Sequence, residues 1–281
     1  MFIFHSGFQL QQFFIQKRLI PIKTGFVPTM GALHEGHLSL IKQAKEKSDI
    51  TICSIFVNPT QFNDPKDFDK YPKTIEKDVE MLVKTGCDIL FLPSVQEIYP
   101  SGTVNNPYYE LGYLETVLEG KFRPGHFQGV CQVVDRLLEI VKPDFLFLGQ
   151  KDFQQCLVVQ KLIEIKKINT KLIIGATLRE KDGLAMSSRN MRLNSVERNL
   201  AVSIYESLIQ IKQHLQPSSV QSIKENAFQF LTLRGFKVDY AEIANAETLE
   251  IITEWNGTEK VVALIAAYLN DIRLIDNMLL N

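Results

Sequence analysis

Short runs of Val, Ile, Leu and Phe alternate with stretches of helical spacing along the first 176 residues, and this alternation constrains the fold more than any other feature. Thr24–Val27, Asp49–Val57 (DITICSIFV), Asp88–Leu92 (DILFL), Asp144–Leu148 (DFLFL) and Lys171–Ala176 (KLIIGA) read as strands. Between them, Ser39–Lys47, Thr74–Lys84, Gly129–Val141 and Phe153–Ile165 carry apolar residues at helical intervals. A strand that is apolar throughout must be covered on both faces, and strands joined by helices run parallel. The spacing therefore predicts a doubly wound α/β domain over residues 1–176, with its ligand crevice at the carboxyl ends of the strands.

The pattern changes beyond that point. Leu178–Arg192 is polar and aperiodic and reads as a loop. Ser195–Leu215 reads as one long helix with Ser195 as its N-cap, and Ser219–Leu233 as a second. Lys237–Ile243, Lys260–Leu269 and Ile272–Ile275 read as strands. Helices followed by strands predict a smaller α+β C-terminal domain over residues 177–281.

Composition narrows the function classes. A net charge of −1 lacks the basic excess of a nucleic-acid binder, so any anion site must be local. The four cysteines contain no C-x-x-C pair and read as reduced core thiols. The longest apolar stretch, Val261–Leu269, is far short of a bilayer span, and the start has no basic region before its apolar residues. The expectation is a cytoplasmic protein with neither nucleic acid nor membrane as partner.

Five segments carry the chemistry. Pro28–His37 (PTMGALHEGH) lies between a strand and a helix, so His34 and His37 share one side of the first turn. A helix N-terminus suits phosphate, and its field favours neutral imidazole donors. Phe56–Phe62 (FVNPTQF) ends the next strand and offers Asn58 and Gln61, uncharged groups suited to hydroxyls or a carboxylate. The charged stretch 63–72 reads as a mobile loop able to close over a site. Gly120–Phe127 supplies Arg123 and His126. Phe147–Gln155 supplies Gly149, Gln150, Lys151, Asp152 and Gln155, with Lys151 a point charge for a polyphosphate. Arg179–Arg189 ends in Met186-Ser187-Ser188-Arg189, hydroxyls and a guanidinium suited to phosphate. Each has a plainer reading: capping histidines, an Asn-Pro turn, a basic surface turn, Asp152 as an N-cap, a solvated linker. Asp78 reads as part of a solvated helix face, with an outer metal contact the alternative. Three of the first four segments follow a predicted parallel strand at its C-terminal end, which favours convergence on one crevice and a nucleotide held by its phosphates.

His34-Glu35-Gly36-His37 resembles the H-x-G-H signature of the nucleotidylyltransferase superfamily, and Met186–Arg189 its K-M-S-K-S-type loop. Together with Asn58-Pro-Thr-Gln61, Arg123-Pro-Gly-His126 and Gly149–Gln155, and with the tail Arg273–Asn277, these segments resemble the pantoate–β-alanine ligase family. The resemblance implies a Rossmann-like N-terminal domain, a C-terminal lid, ATP as co-substrate, Mg²⁺, pantoate and β-alanine as substrates, and a homodimer. It implies that His37 is catalytic as a proton donor, with His34, Lys151 and Arg189 acting on the phosphates. Met30, Gly31, Ala32, Leu33, His34, Glu35, Gly36, His37, Gly149, Gln150, Lys151, Asp152, Leu178, Met186, Ser187, Ser188 and Arg189 would line the ATP site. Gln61 and Gln155 would bind pantoate, Gln61 also lying near β-alanine, and Asn58 and Arg123 join them as substrate contacts. Four places depart from the family pattern: Gln150 for Glu, Leu178 for Val, Asn270 for Gly, and the first 23 residues. Two other readings remain: an H-x-G-H adenylyltransferase acting on a different substrate, such as phosphopantetheine, and a nucleotide-binding module without catalysis.

Overall fold

Covering both faces of an apolar strand takes helices on both sides of the sheet, and the larger unit is built that way. The computed structural model describes residues 1–17, 22–63, 65–104, 106–217 and 219–281. The chain divides into two units, one of Met1–Gly149 with Gln155–Ala176, the other of Gln150–Gln154 with Thr177–Asn281. The larger unit runs β1 (Phe2–Phe4), α1 (Gly7–Lys17), β2 (Thr24–Thr29), α2 (Glu35–Lys47), β3 (Ile50–Ile55), α3 (Pro65–Asp69), α4 (Ile75–Thr85), β4 (Ile89–Phe91), α5 (Val95–Ile98), α6 (Leu118–Phe122), α7 (His126–Val141), β5 (Phe145–Gly149), α8 (Phe153–Lys166) and β6 (Lys171–Gly175).

Its six strands pair in the order β1-β4-β3-β2-β5-β6, every pair parallel. The winding reverses between β2 and β5, so the carboxyl ends of those two strands flank the topological switch point. Successive strand residues go to opposite faces. Phe26, Ile52, Ile89, Phe91 and Leu146 pack with Leu10 of α1, Phe127 and Val134 of α7, and Val159 of α8. Val27, Cys53, Leu90 and Phe147 pack with Ile41 and Ala44 of α2 and Leu82 of α4. All four cysteines are free and buried. Burial pushes the Cys87 thiol up to about 11 and the Cys131 thiol to about 12, so both stay protonated at neutral pH.

Three aspartates expected inside strands instead precede them. The Asp49 carboxylate accepts the backbone N–H of Lys23, Asp88 that of Thr51, and Asp144 that of Thr24. Each clasps the start of a neighbouring strand, satisfying a donor that the ladder leaves over. One element goes unread in the sequence and one further expectation changes. The apolar N-terminus forms an edge strand, β1, paired in parallel with β4 and followed by α1. The stretch read as a mobile loop contains helix α3, with Asp64 outside the described residues; residues 18–21 of the poorly matching start also lie outside them.

In the smaller unit, α9 (Ser195–Ala201), α10 (Ser203–His214) and α11 (Val220–Leu233) accompany an antiparallel sheet, β7 (Lys237–Asn245), β8 (Val261–Leu269) and β9 (Ile272–Leu279), in that order. The helix expected over 195–215 is two, interrupted at Val202. Its cap is Asn194 rather than Ser195. Asn194 Oδ1 accepts the N–H groups of Val196 and Glu197, while Glu197 accepts that of Asn194, a reciprocal pair that a serine one residue inside cannot form. Ile204, Leu208, Leu231, Val261, Ala263 and Ile265 are among the residues of its core.

Candidate active site

In the larger unit the chain leaves β2 at Thr29 and must turn sharply to start α2. Gly31 (φ +83°) and Ala32 (φ +49°) both take the left-handed conformation. For a residue with a Cβ this costs roughly 1–2 kcal/mol. Asp78 of α4 offsets it: its carboxylate accepts the N–H of Ala32 at 2.9 Å, that of Leu33 at 2.8 Å and the Thr74 hydroxyl at 3.1 Å. Asp78 is 1% exposed, so the solvated face read from the sequence is wrong, and its oxygens are engaged by the turn. Its place in the Ile75-Asp78-Val79-Leu82 stripe of an amphipathic helix is the signal that marked it.

The turn delivers His34 and His37 to the N-terminus of a thirteen-residue helix. Their ring centroids lie 4.0 Å apart. His37 Nδ1 accepts the backbone N–H of His34 at 3.3 Å, which puts the proton of the neutral ring on Nε2. Glu35 turns instead toward Lys42, 3.8 Å away on an exposed face.

A single 3₁₀ turn, Pro59–Gln61, follows β3. Asn58 caps it and is 1% exposed. Its Oδ1 accepts from the Thr60 N–H and hydroxyl and from the Tyr99 hydroxyl, and its Nδ2 donates to Gln61 Oε1 at 3.1 Å and the Gly129 carbonyl at 3.0 Å. Burial pushes the Tyr99 phenol above its usual range and keeps it a donor. Arg123 donates to the Gln61 carbonyl at 3.3 Å and to His126 Nε2 at 3.2 Å, and His126 Nδ1 donates to the same Gln61 carbonyl at 2.8 Å. A guanidinium only donates, so His126 is the neutral Nδ1–H tautomer here. Asn58 and Arg123 thus hold the backbone and amide of Gln61. Gly129, absent from the sequence reading of the site, is essential to the turn, because a Cβ there would stand 2.4 Å from the Thr60 carbonyl oxygen. The held amide has a definite place: Gln61 Nε2 is 3.2 Å from Met30 Sδ, beside the histidine turn. Gly149 ends β5, and Gln155 lies half-buried on α8.

In the smaller unit Gln150–Asp152 form another 3₁₀ turn, where Lys151 Nζ lies 3.4 Å from Asp152 Oδ1. The segment expected as a plain loop contains a tight hairpin: Arg179 bridges Ala185, and the Leu178 carbonyl accepts the Met186 N–H at 3.0 Å. The Leu178 side chain is exposed, so its backbone holds the hairpin. Ser187 then caps the turn Ser188–Arg192 by accepting the Arg189 N–H, and Ser188 is buried. Among the described residues no three or more His, Cys, Asp or Glu gather as a metal site, and no helix is long and apolar enough to cross a membrane.

The model of the pantoate-β-alanine ligase family matches residues 3–279. A pantothenate synthetase of Azobacteroides pseudotrichonymphae is 44% identical over 256 residues, spanning 90% of this chain and 91% of that one. One from Marinomonas sp. is 44% identical over 277 residues, 98% of each chain. The crystal structure of pantothenate synthetase from Thermus thermophilus superposes with a TM-score of 0.88 at 35% identity, covering 99% of both chains. That of the pantoate-β-alanine ligase from Francisella tularensis, complexed with "Beta-gamma ATP" and β-alanine, gives 0.82 at 40% identity, covering 99% of this chain and 97% of that one. These matches do not favour an adenylyltransferase for another substrate or a non-catalytic nucleotide binder. The chain belongs to the pantoate-β-alanine ligase family.

Proposed function

We propose that this chain condenses pantoate with β-alanine, converting ATP to AMP and pyrophosphate by way of a pantoyl adenylate. Family membership supports the reaction, and one distance carries the reading of the site. The Gln61 amide, suited to a hydroxy acid, lies 3.2 Å from Met30 of the turn suited to a nucleotide. In this reading a carboxylate held by Gln61 and Gln155 meets a phosphate held by Met30–His37.

The carboxylate attacks the α-phosphorus in line, and the bond to pyrophosphate breaks. Two anions must meet, so electrostatic stabilisation dominates the step. The His37 Nε2–H, together with His34, Lys151, Ser187, Ser188 and Arg189, offsets charge on the phosphates. Each preorganised donor is worth roughly 2–4 kcal/mol in the transition state. Gly149, Gln150, Asp152, Leu178 and Met186 complete the nucleotide contacts. In the second step the neutral amine of β-alanine attacks the acyl carbon, the acyl–phosphate C–O bond breaks, AMP leaves, and the amine loses a proton. Two amides suit pantoate because each donates and accepts without adding charge beside ATP. Asn58 and Arg123 act through Gln61. Mg²⁺ accompanying ATP would offset phosphate charge, while the Asp78 carboxylate is engaged by the turn.

We assign nucleotide and pantoate binding to residues 1–176 and a lid role to residues 177–281, in a cytoplasmic homodimer. Sedimentation tests the dimer and fractionation the compartment. The reaction is tested with ATP, Mg²⁺ and pantoate. Pyrophosphate exchange should occur without β-alanine, while AMP and pantothenate accumulate only with it. A stable nucleotidyl product, or ATP binding without turnover, overturns the reading.

A further inference from the structure

Asp276 and Asn277 stand side by side on β9, both nearly fully buried, after the apolar Leu274 and Ile275. The ladder to β8 is made by backbone, pairing Asp276 with Ile265 and Asn277 with Leu264. Their side chains serve the smaller unit's two site segments instead. Asn277 Nδ2 donates to the carbonyls of Gln150 (2.9 Å) and Lys151 (2.8 Å), and its Oδ1 accepts from Gln150 Nε2 at 3.3 Å. One side-chain amide is thus devoted to a single turn of chain. Asp276 receives both Nη atoms of Arg179. The same guanidinium donates to the Asn277 and Gly183 carbonyls, each at 3.1 Å, and lies over the Tyr205 ring with 4.6 Å to its centroid. Gly183 has no room for a Cβ, which would lie 2.0 Å from that ring. Arg179 therefore fixes the hairpin that leads directly into Met186–Arg189.

We propose that the buried pair Asp276–Asn277 is a positioning element for adenylation: Asn277 sets the backbone of Lys151, and Asp276, through Arg179, sets the hairpin that presents Met186–Arg189. The proposal rests on the reading above, in which Lys151 and that loop meet the ATP phosphates. Neither Asp276 nor Asn277 touches substrate in it. A lysine is a point charge on a flexible stem, so its aim depends on where its Cα is held. Displacement of a reacting group by about 1 Å can cost about 100-fold in rate.

The experiment is a double-mutant cycle on Asn277 and Lys151 in the full-length protein. Wild-type turnover of ATP, pantoate and β-alanine first establishes the reading itself; without it that reading fails, independently of this proposal. Asn277→Ala should keep its circular dichroism spectrum and raise KM for ATP or lower the pyrophosphate-exchange rate by about 10- to 100-fold, with KM for pantoate within about twofold of wild type. In a Lys151→Ala background the same change should add less than about threefold, because the two residues act as one unit. Asn277→Ser retains one donor and should fall between, and it carries the test should the alanine variant not fold. The proposal is overturned if folded Asn277→Ala or Asn277→Ser shows ATP kinetics like wild type. It is equally overturned if the loss is as large without Lys151, or if KM for pantoate rises in step with that for ATP.

Discussion

Two buried aspartates hold candidate site segments in the two units, and they do it by opposite means. In the larger unit Asp78 accepts directly from the backbone N–H groups of Ala32 and Leu33. In the smaller unit Asp276 accepts from a guanidinium, and the backbone being held presents carbonyls, of Gln150, Lys151 and Gly183, to Asn277 and Arg179. The reason is local. A turn entering a helix N-terminus has spare N–H donors and calls for an anion. A 3₁₀ turn and a tight hairpin have spare carbonyls and call for donors. The difference teaches where charge is neutralised: on backbone dipoles around Asp78, and by a full counter-charge at Asp276.

The comparison is sharpest where one partner is removed. Arg179→Ala strands a carboxylate whose environment cannot solvate it, and loss of one member of a buried ion pair costs about 3–5 kcal/mol. Chemical denaturation measures this. Burial already pushes the Asp276 carboxyl above its usual value, against the pull of Arg179. Without Arg179 the shift grows. A raised carboxyl means the native state binds its proton more tightly than the unfolded state. The variant therefore gains stability as pH falls from the raised native value toward the ordinary carboxylate range. A deficit that is flat between about pH 8 and pH 5 would contradict the ionised, stranded Asp276. Asp78→Ala comes next, at about 2–3 kcal/mol, because it removes the carboxylate acceptor of two buried N–H groups but strands no charge. It should also raise KM for ATP, since the Asp78 bond that offsets the left-handed backbone of Ala32 is lost. If Asp78→Ala is the costlier of the two in denaturation, the distinction between dipole and counter-charge fails.

The sheet was legible because each strand is apolar on both faces, as Phe26 with Val27 and Ile52 with Cys53 show, and that pattern admits little but helix-covered parallel pairing. The candidate site segments stand out in the sequence because most follow strands and carry paired, unusual side chains. What supports them does not. Asp78 and Asp276 each stand in phase with apolar neighbours, Ile75 and Leu82 in one case, Ile272 and Leu274 in the other, and a polar residue in an apolar stripe was the available signal. The apolar run of β9 stops at Ile275, just before the pair, while the strand itself continues to Leu279. Gly129 gives no local sign at all, since what excludes its Cβ is the Thr60 carbonyl, distant in sequence. Nor does periodicity mark the interruption at Val202, where the backbone stays in the helical region (φ −60°, ψ −25°).

Within the larger unit, the amide cradle offers a smaller and more specific effect. Gly129→Ala drives a methyl against the Thr60 carbonyl and shifts Gln61 without touching the histidine turn. KM for pantoate should rise about tenfold, equivalent to about 1.4 kcal/mol, with KM for ATP unchanged. Gln61→Ala should do the same. Parallel rises in both constants would mean that the cradle and the histidine turn move as one body, erasing the separation of anchors on which the comparison depends.

The smallest effect tests the opposite extreme of the same chemistry, an aspartate paired with arginine in the open. Asp182 receives both Nη atoms of Arg198 on a partly exposed face and accepts the Leu184 N–H. Arg198 holds the Asp182 carboxyl below its usual value. A depressed native value means that this contribution is present above the ordinary carboxylate range and is lost as pH falls through the native value. Solvent screening keeps exposed pairs small, so Asp182→Asn should lower Tm by about 1–2 °C at about pH 7. That gap should narrow below about pH 4, where the wild-type carboxylate begins to protonate. High salt should narrow it as well, whereas the Arg179→Ala deficit should persist in high salt, because ions do not reach a buried pair. Equal salt sensitivity in the two variants would show that Asp276 is no better shielded than Asp182, and the contrast between buried and open pairing would have to be abandoned.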